Sequence, residues 1–304
     1  MDANKNQSAV VEIASKHLGQ VGGAGYSDKY DPSLLVAVPR YLNREAYGIE
    51  EANLPFVGVD SWNAYEVSAI TEKGRPVAGM LKIVCPADSP FHVESKSIKL
   101  YLNSFNMTPF GKTAKECIKF IEDQVSKDLT ELLKGEVTCA FFANDYGPEF
   151  QFDGFDDLAG GVNLDEVEFT SFHSDASQLE VGGELPLSTT TRVHSNLLRS
   201  NCRVTNQPDW GDIYIHMEGK NTVKLESLAK YIVSHRQVSH FHEEICEMVF
   251  THLTQAYKPE KLMVACLYTR RGGIDINPIR ATHADMIPGW FKDASKRMKK
   301  TLRQ

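Results

Sequence analysis

Apolar residues recur along this chain with two different periods, and the switches between them predict its elements. Trp62 to Ile70 alternates apolar and polar positions like a strand with one buried face. Gly74 to Pro76 reads as a turn and Val77 to Val84 as a second strand, which together predict a hairpin. Ser97 to Phe105 then sets Ile98, Tyr101, Leu102 and Phe105 on one helical face. Ala114 to Leu133 predicts a longer amphipathic helix with Ile118, Ile121, Val125, Leu129 and Leu132 inward, ended by Gly135. Val137 to Phe142 is a further apolar strand.

The second half repeats that order. Asp212 to Met217 reads as a strand, Gly219 as a turn, and Leu225 to Val233 as a helix. His242 to Tyr257 is a second helix with Ile245, Val249, Phe250, Leu253 and Ala256 inward, and Leu262 to Tyr268 a strand. Runs of strands beside runs of helices predict an α+β fold with antiparallel sheets rather than alternating βαβ units. A duplicated ββααββ-like unit is the economical account. It divides the chain into an N-terminal arm (1–50), a first unit (51–145), a linker region (146–191) and a second unit (192–304). The arm is rich in Gly, Asp, Asn and Tyr and reads as loop rather than core, with Gly22, Gly23 and Gly25 clustered. The linker region is acidic, with one more strand expected around Val167 to Phe172. The basic tail from Lys292 to Gln304 reads as a solvated helix end.

Composition narrows the function classes. The chain has 304 residues, 42% of them hydrophobic, enough for a substantial core. A net charge of −7 argues against a general nucleic-acid surface. The six cysteines include no C-x-x-C pair, which suits reduced thiols in the cytoplasm. No apolar run reaches the roughly 18 residues of a bilayer span. The clustered glycines lack the G-x-G-x-x-G spacing of a dinucleotide fingerprint. A soluble protein with no direct nucleic-acid or membrane partner is the expectation.

Four clusters carry candidate chemistry. In Asn201-Cys202-Arg203-Val204-Thr205-Asn206-Gln207-Pro208-Asp209-Trp210, a thiolate nucleophile and a proton-carrying carboxyl are seven residues apart. The Pro208-Asp209 step predicts a turn that folds Asp209 back toward Cys202. On spacing alone, a buried structural cysteine followed by a helix cap is the favoured reading. Glu94 to Tyr101 puts a carboxylate and two lysines at a helix start, where Glu94 either caps the helix or binds a ligand. Ser239 to Glu244 brings histidines and glutamates to another helix start. Its run His242-Glu243-Glu244-Ile245-Cys246 looks like a zinc-binding helix with cysteine for the second histidine, short of a further ligand. Tyr268 to Pro278 sets Arg270 and Arg271 before Gly272 and Gly273, suited to an anion or to a plain turn.

Together these clusters resemble one family, the NADPH-dependent 7-cyano-7-deazaguanine reductases known as QueF. Glu94 to Tyr101 fits the family signature E-S/L-K-S/A-hydrophobic-K-L-aromatic and continues as Leu102-Asn103-Ser104-Phe105-Asn106. Ser200-Asn201-Cys202 with Gln207-Pro208-Asp209-Trp210 matches the nucleophile segment. Phe241-His242-Glu243, Arg270-Arg271-Gly272-Gly273, Val38-Pro39-Arg40 and Leu54-Pro55 match as well. With the signature ahead of the cysteine, the chain resembles the long form of the family. The resemblance implies two tandem tunnelling-fold units, antiparallel sheets with paired helices on one face, in a homodimer. It implies reduction of a nitrile to a primary amine with two NADPH and no metal, in queuosine biosynthesis for tRNA modification. It casts Cys202 as the nucleophile that forms a thioimide, Asp209 as proton donor and His242 as a proton-handling group. Glu94, Ser95, Phe241 and Glu243 would bind the guanine-like substrate, and Lys96, Lys99, Arg270, Arg271 and Gly272 would bind NADPH.

Two positions depart from the pattern. Arg203 follows the cysteine where a smaller or apolar residue is expected, and would either lower the thiol pKa or face solvent. Asn206 stands where glycine is often found. Two other readings compete: a zinc-dependent purine or pterin cyclohydrolase-like enzyme on the same fold, with Cys202 as a ligand, and a non-catalytic purine-binding module.

Overall fold

A computed structural model describes residues 12–13, 27, 29–143 and 147–304. The glycine cluster at 22, 23 and 25 lies outside them. The chain runs β1 (Ala37–Pro39), α1 (Tyr41–Arg44), β2 (Val57–Ile70), β3 (Pro76–Pro86), β4 (Phe91–Val93), α2 (Ser95–Asn103), α3 (Ala114–Leu133) and β5 (Thr138–Phe142). It continues β6 (Val181–Ser195), β7 (Arg199–Cys202), β8 (Pro208–Val223), α4 (Leu225–Ser234), β9 (Ser239–His240), α5 (His242–Tyr257), β10 (Lys261–Tyr268) and β11 (Ile274–Ala281). The fold is α+β, as the pattern predicts.

One sheet spans both halves. Its long strands follow the order β6-β8-β10-β11-β2-β3-β5, each antiparallel to its neighbours. The halves join where β11 pairs with β2, from Ile274 opposite Ala64 to Ala281 opposite Val57. Both helix pairs lie on the same face. Ile98, Tyr101, Ile121 and Val125 of α2 and α3 pack on Trp62, Leu81 and Ile83. Ile232 of α4 and Ile245, Val249 and Leu253 of α5 pack on Ile213, Ile215, Val264 and Cys266. The opposite face, around Ala265, Leu267 and Ile279, is covered by Phe291 and Trp290 near the C-terminus. Burial of these apolar faces is the main stabilising term.

Between the two helix pairs lies a buried ionic network. Arg280 of β11 pairs with Asp60 of β2 and Glu247 of α5, each at 2.8 Å. Arg44 reaches Glu247 at 2.8 Å and Arg40 reaches Asp60 at 2.6 Å. Burial alone would raise the Asp60 carboxyl, but Arg280 and Arg40 hold it well below the ordinary range.

Several expectations change. The described part of the N-terminal arm is core, not appended loop: Leu35, Val36, Val38, Leu42 and Ile49 are buried, and β1 pairs with β4. Val167 to Phe172 is irregular, and the linker region instead contributes most of β6. Its residues Val181 to Thr190 are exposed, so no buried face stamps a period on their sequence. Gly219 is a bulged point within β8 rather than a turn. Helix α3 ends on Lys134, in left-handed conformation, one residue before Gly135. Lys292 to Gln304 is a docked, largely non-helical segment. Arg303 bonds Asp212 at 3.0 Å and Gln304 bonds Asn277 at 2.7 Å. No described helix is long and apolar enough to cross a membrane.

Candidate active site

The segment from Arg199 to Trp210 folds as a tight hairpin. Asp209 on β8 stands opposite Ser200 on β7, so Cys202, two residues from Ser200, shares a face with Asp209. The turn sits at 203–206 rather than at Pro208-Asp209. It is closed by Cys202 N–H to Gln207 O at 2.8 Å and Asn206 N–H to Cys202 O at 2.9 Å. Asn206 has φ +54°, a left-handed conformation that asparagine and glycine tolerate best, which accounts for the asparagine there. Asp209 is a strand residue and caps no helix.

Cys202 is half-buried, and burial by itself raises a thiol pKa. The Thr205 hydroxyl, the Thr205 and Val204 N–H groups and the Arg271 guanidinium outweigh that and hold the Cys202 thiol below its ordinary value. Arg203 does not face solvent. It is buried, bonds Glu244 and Asn43 at 2.8 Å each, and stacks over Phe241, tying the turn to α5 and α1.

Asp209 is buried between two basic groups. Arg271 Nη1 lies 3.0 Å from its Oδ1 and His242 Nε2 lies 3.3 Å from its Oδ2. His242 begins α5 and stacks face to face on Tyr268, with centroids 3.8 Å apart and planes 6° apart. Arg271 is delivered by the hairpin from β10 to β11. Gly272 and Gly273 have φ +58° and +77°, as the two central residues of a type I′ turn require. A Cβ on Gly273 would stand 2.6 Å from the Glu66 carboxyl carbon.

Across the cavity lie two carboxylates from opposite halves of the chain. Glu94 caps α2, accepting from Lys96 N–H at 2.9 Å and Ser97 N–H at 2.7 Å. Capping and cavity lining are therefore joint properties of Glu94 rather than alternatives. Glu243 is 5% exposed, and its Oε1 has no hydrogen-bond partner among the described residues. Burial, reinforced by the nearby Asp60 charge, pushes its carboxyl up to about 8. Phe241, just before α5, lies at one wall with His92 edge-on to its ring.

Ten of the twelve predicted site residues line this one cavity, about 750 Å³ of empty space counting its open mouth. These are Cys202, Asp209, His242, Glu94, Ser95, Phe241, Glu243, Lys96, Lys99 and Arg271. Gly272 lies beside it, under the Lys99 side chain. Arg270 turns away, its guanidinium 5.0 Å from the Tyr65 ring centroid. Burial, and next the Arg271 charge, lower the Lys99 ammonium pKa. The zinc-helix reading of His242 and Cys246 fails on direction, because Cys246 is fully buried with its thiol on Val264 O and Pro278 O. Among the described residues no group of three or more His, Cys, Asp or Glu side chains is placed to hold a metal ion. Thr205 and His92 also line the cavity. The hydroxyl of Thr205 was hidden within the quoted nucleophile run. His92 gave no local signal, because only the β1–β4 pairing brings it inward.

Comparison with known proteins identifies the family. Residues 26–141 match the family described as "Nitrile reductase, 7-cyano-7-deazaguanine-reductase N-term", and residues 208–286 match "QueF-like protein". A Colwellia psychrerythraea protein named NADPH-dependent 7-cyano-7-deazaguanine reductase is 36% identical over 285 residues, 93% of this chain and 97% of the relative. Proteins of the same name from Paraburkholderia phytofirmans and Rickettsia akari are each 40% identical. They cover 87% and 84% of this chain, and 93% and 90% of their own lengths. With such coverage on both sides, this chain belongs to the family of NADPH-dependent 7-cyano-7-deazaguanine reductases.

Proposed function

We propose that this protein reduces the nitrile of 7-cyano-7-deazaguanine to the primary amine of 7-aminomethyl-7-deazaguanine, using two NADPH per turnover, through a covalent thioimide on Cys202. The observation that carries the reading is the meeting in one cavity of an activated thiol with two carboxylates suited to a guanine edge. Ring N–H and exocyclic NH₂ are donors side by side, and Glu243 Oε1 is an acceptor with nothing to accept.

The chemistry follows from the residues. Cys202 as thiolate adds to the electrophilic nitrile carbon, forming a C–S bond as one C–N π bond opens onto nitrogen. Asp209 gives that nitrogen its proton, and His242, 3.3 Å away, returns one to the carboxylate. NADPH, when bound, supplies hydride to the same carbon, once at the thioimide and once at the imine. Between the two, the nitrogen lone pair re-forms the C=N bond as Cys202 departs with the C–S bonding pair, regenerating the thiolate, and after the second hydride the reprotonated Asp209 gives nitrogen its last proton. A depressed thiol pKa makes Cys202 both a populated nucleophile and a good leaving group. Lys96, Lys99 and Arg271 on the rim suit phosphate groups, and the Gly272-Gly273 turn permits close backbone approach. Arg270 is set apart from that rim.

The reading extends to a homodimer acting in the cytoplasm, in the pathway to queuosine in tRNA. Mass spectrometry of the protein with the nitrile and no NADPH should find a covalent adduct that disappears in Cys202→Ala. NADPH absorbance should then fall only when the nitrile is present. An adduct persisting in Cys202→Ala would put the nucleophile elsewhere. Activity lost on chelation and restored by zinc would defeat the reductase reading in favour of the cyclohydrolase-like alternative.

A further inference from the structure

His92 takes no part in the chemistry above, yet it stands in the cavity wall at 4% exposure. Strand pairing of β4 with β1, His92 opposite Val38, turns it inward. Its Nε2 is buried without a hydrogen-bond partner among the described residues. Its Nδ1 lies 4.0 Å from Glu243 Oε1, too far for a hydrogen bond, and that oxygen is unpartnered too. A structural histidine in a folded interior normally has a partner. Burial, and next the Arg40 charge, lower its pKa to about 3, so the ring is neutral and carries one N–H donor. His92 Nδ1, able to donate, and Glu243 Oε1, an acceptor buried without a partner among the described residues, border the same space without bonding each other.

We propose that His92 is a specificity-determining residue, its Nδ1–H donating to the ring carbonyl of the bound base while Glu243 Oε1 accepts from the neighbouring ring N–H. The inference rests on the reductase reading for the identity of the base. The spacing fits. A lactam presents C=O and N–H side by side, and two bonds of about 2.9 Å running out from them end about 4 Å apart. In the carboxylate form, which the ring N–H favours by donating to it, Glu243 by itself reads donors only. A base with an amino group and no ring carbonyl satisfies a carboxylate in part, but leaves the His92 donor buried and unpaired, which costs binding. Phe241, edge-on to His92 at 4.9 Å between centroids, holds the ring plane. Arg40 and Asp60, paired to each other at 2.6 Å, act on the ring in opposite directions.

The test is direct binding in a Cys202→Ala background, where no covalent trapping intervenes. The probes are 7-cyano-7-deazaguanine and its thio analogue, in which sulfur replaces the ring oxygen and the ring N–H is kept. With His92 present, the oxo base should bind about ten-fold more tightly than the thio base. His92→Phe keeps a ring against Phe241 and should collapse that ratio toward one, by weakening the oxo base alone. His92→Gln, which restores a donor, should recover part of it. Equal weakening of both bases, or a ratio unchanged in both variants, would overturn the inference and leave His92 as a packing group. Tight, His92-dependent binding of the oxo base, with no adduct and no NADPH oxidation in the Cys202-containing protein, would sink the reductase reading while this one stood. Failure of the Cys202→Ala protein to bind either base would end both.

Discussion

Arg271 Nη1 lies 3.0 Å from Asp209 Oδ1, and the same guanidinium helps to hold the Cys202 thiol below its ordinary value. One side chain at a hairpin tip therefore touches both the proposed nucleophile and the proposed proton donor. Removing it as Arg271→Gln should slow adduct formation on Cys202 by about ten-fold in the absence of NADPH. The acid limb of the pH–rate profile for that step should move to higher pH, since the thiol pKa rises when the cation leaves. An unchanged adduct rate with a raised KM for NADPH would reduce Arg271 to a phosphate contact.

Asp209 and His242 separate proton delivery from attack. Asp209→Asn keeps the shape and removes the transferable proton, so turnover should drop by about 10²-fold or more. His242→Phe preserves the stack on Tyr268 and deletes only the Nε2 contact to Asp209. Turnover should fall with little change in the affinity of the nitrile, as single-turnover and equilibrium measurements on one preparation would reveal. A fall in affinity without loss of turnover would move His242 from proton handling to binding.

Glu243 makes stability depend on pH. Its folded pKa, about 8, is raised above the unfolded value, first by burial and then by Asp60. Arg40 and Arg280 act the other way, and His92 faces it uncharged. Between about pH 4.5 and 8 the folded protein therefore binds the extra proton, and stability falls as pH rises, by at most about 1.4 kcal/mol per unit. Glu243→Gln abolishes that slope, so its stability relative to the parent should climb through this window and level off above it. Denaturant titrations of the unliganded protein at several pH values would check the sign. A relative stability that stays flat would mean Glu243 is ionised throughout.

Arg280 is 0% exposed and bridges Asp60 of β2 to Glu247 of α5. Arg280→Met leaves buried carboxylates with one cation fewer, an imbalance that should cost about 3–5 kcal/mol. Equilibrium unfolding measures the loss directly. Loss under 1 kcal/mol would mean that Arg40 and Arg44 alone neutralise the cluster.

Local sequence was enough for the elements with a buried face, while the candidate site residues came from the family resemblance rather than from local spacing. The helices at Ser95–Asn103, Ala114–Leu133, Leu225–Ser234 and His242–Tyr257 bury stripes at helical spacing, so their periods are written in the chain. That resemblance was legible because each site residue sits in a short contiguous run: Cys202 with Asp209, Glu94 with Ser95, Phe241 with Glu243. Pairing between distant segments left no such mark. Only the tertiary structure decided that Arg271 enters the cavity while Arg270 turns to Tyr65, and that Arg203 is a buried clasp rather than a surface charge. Tertiary structure likewise placed His92 beside Glu243 and joined the two halves through one strand pair. The physical reason is range. Period and turn chemistry report on neighbours along the chain, whereas strand register and the partner of a buried charge are set by residues far away in sequence.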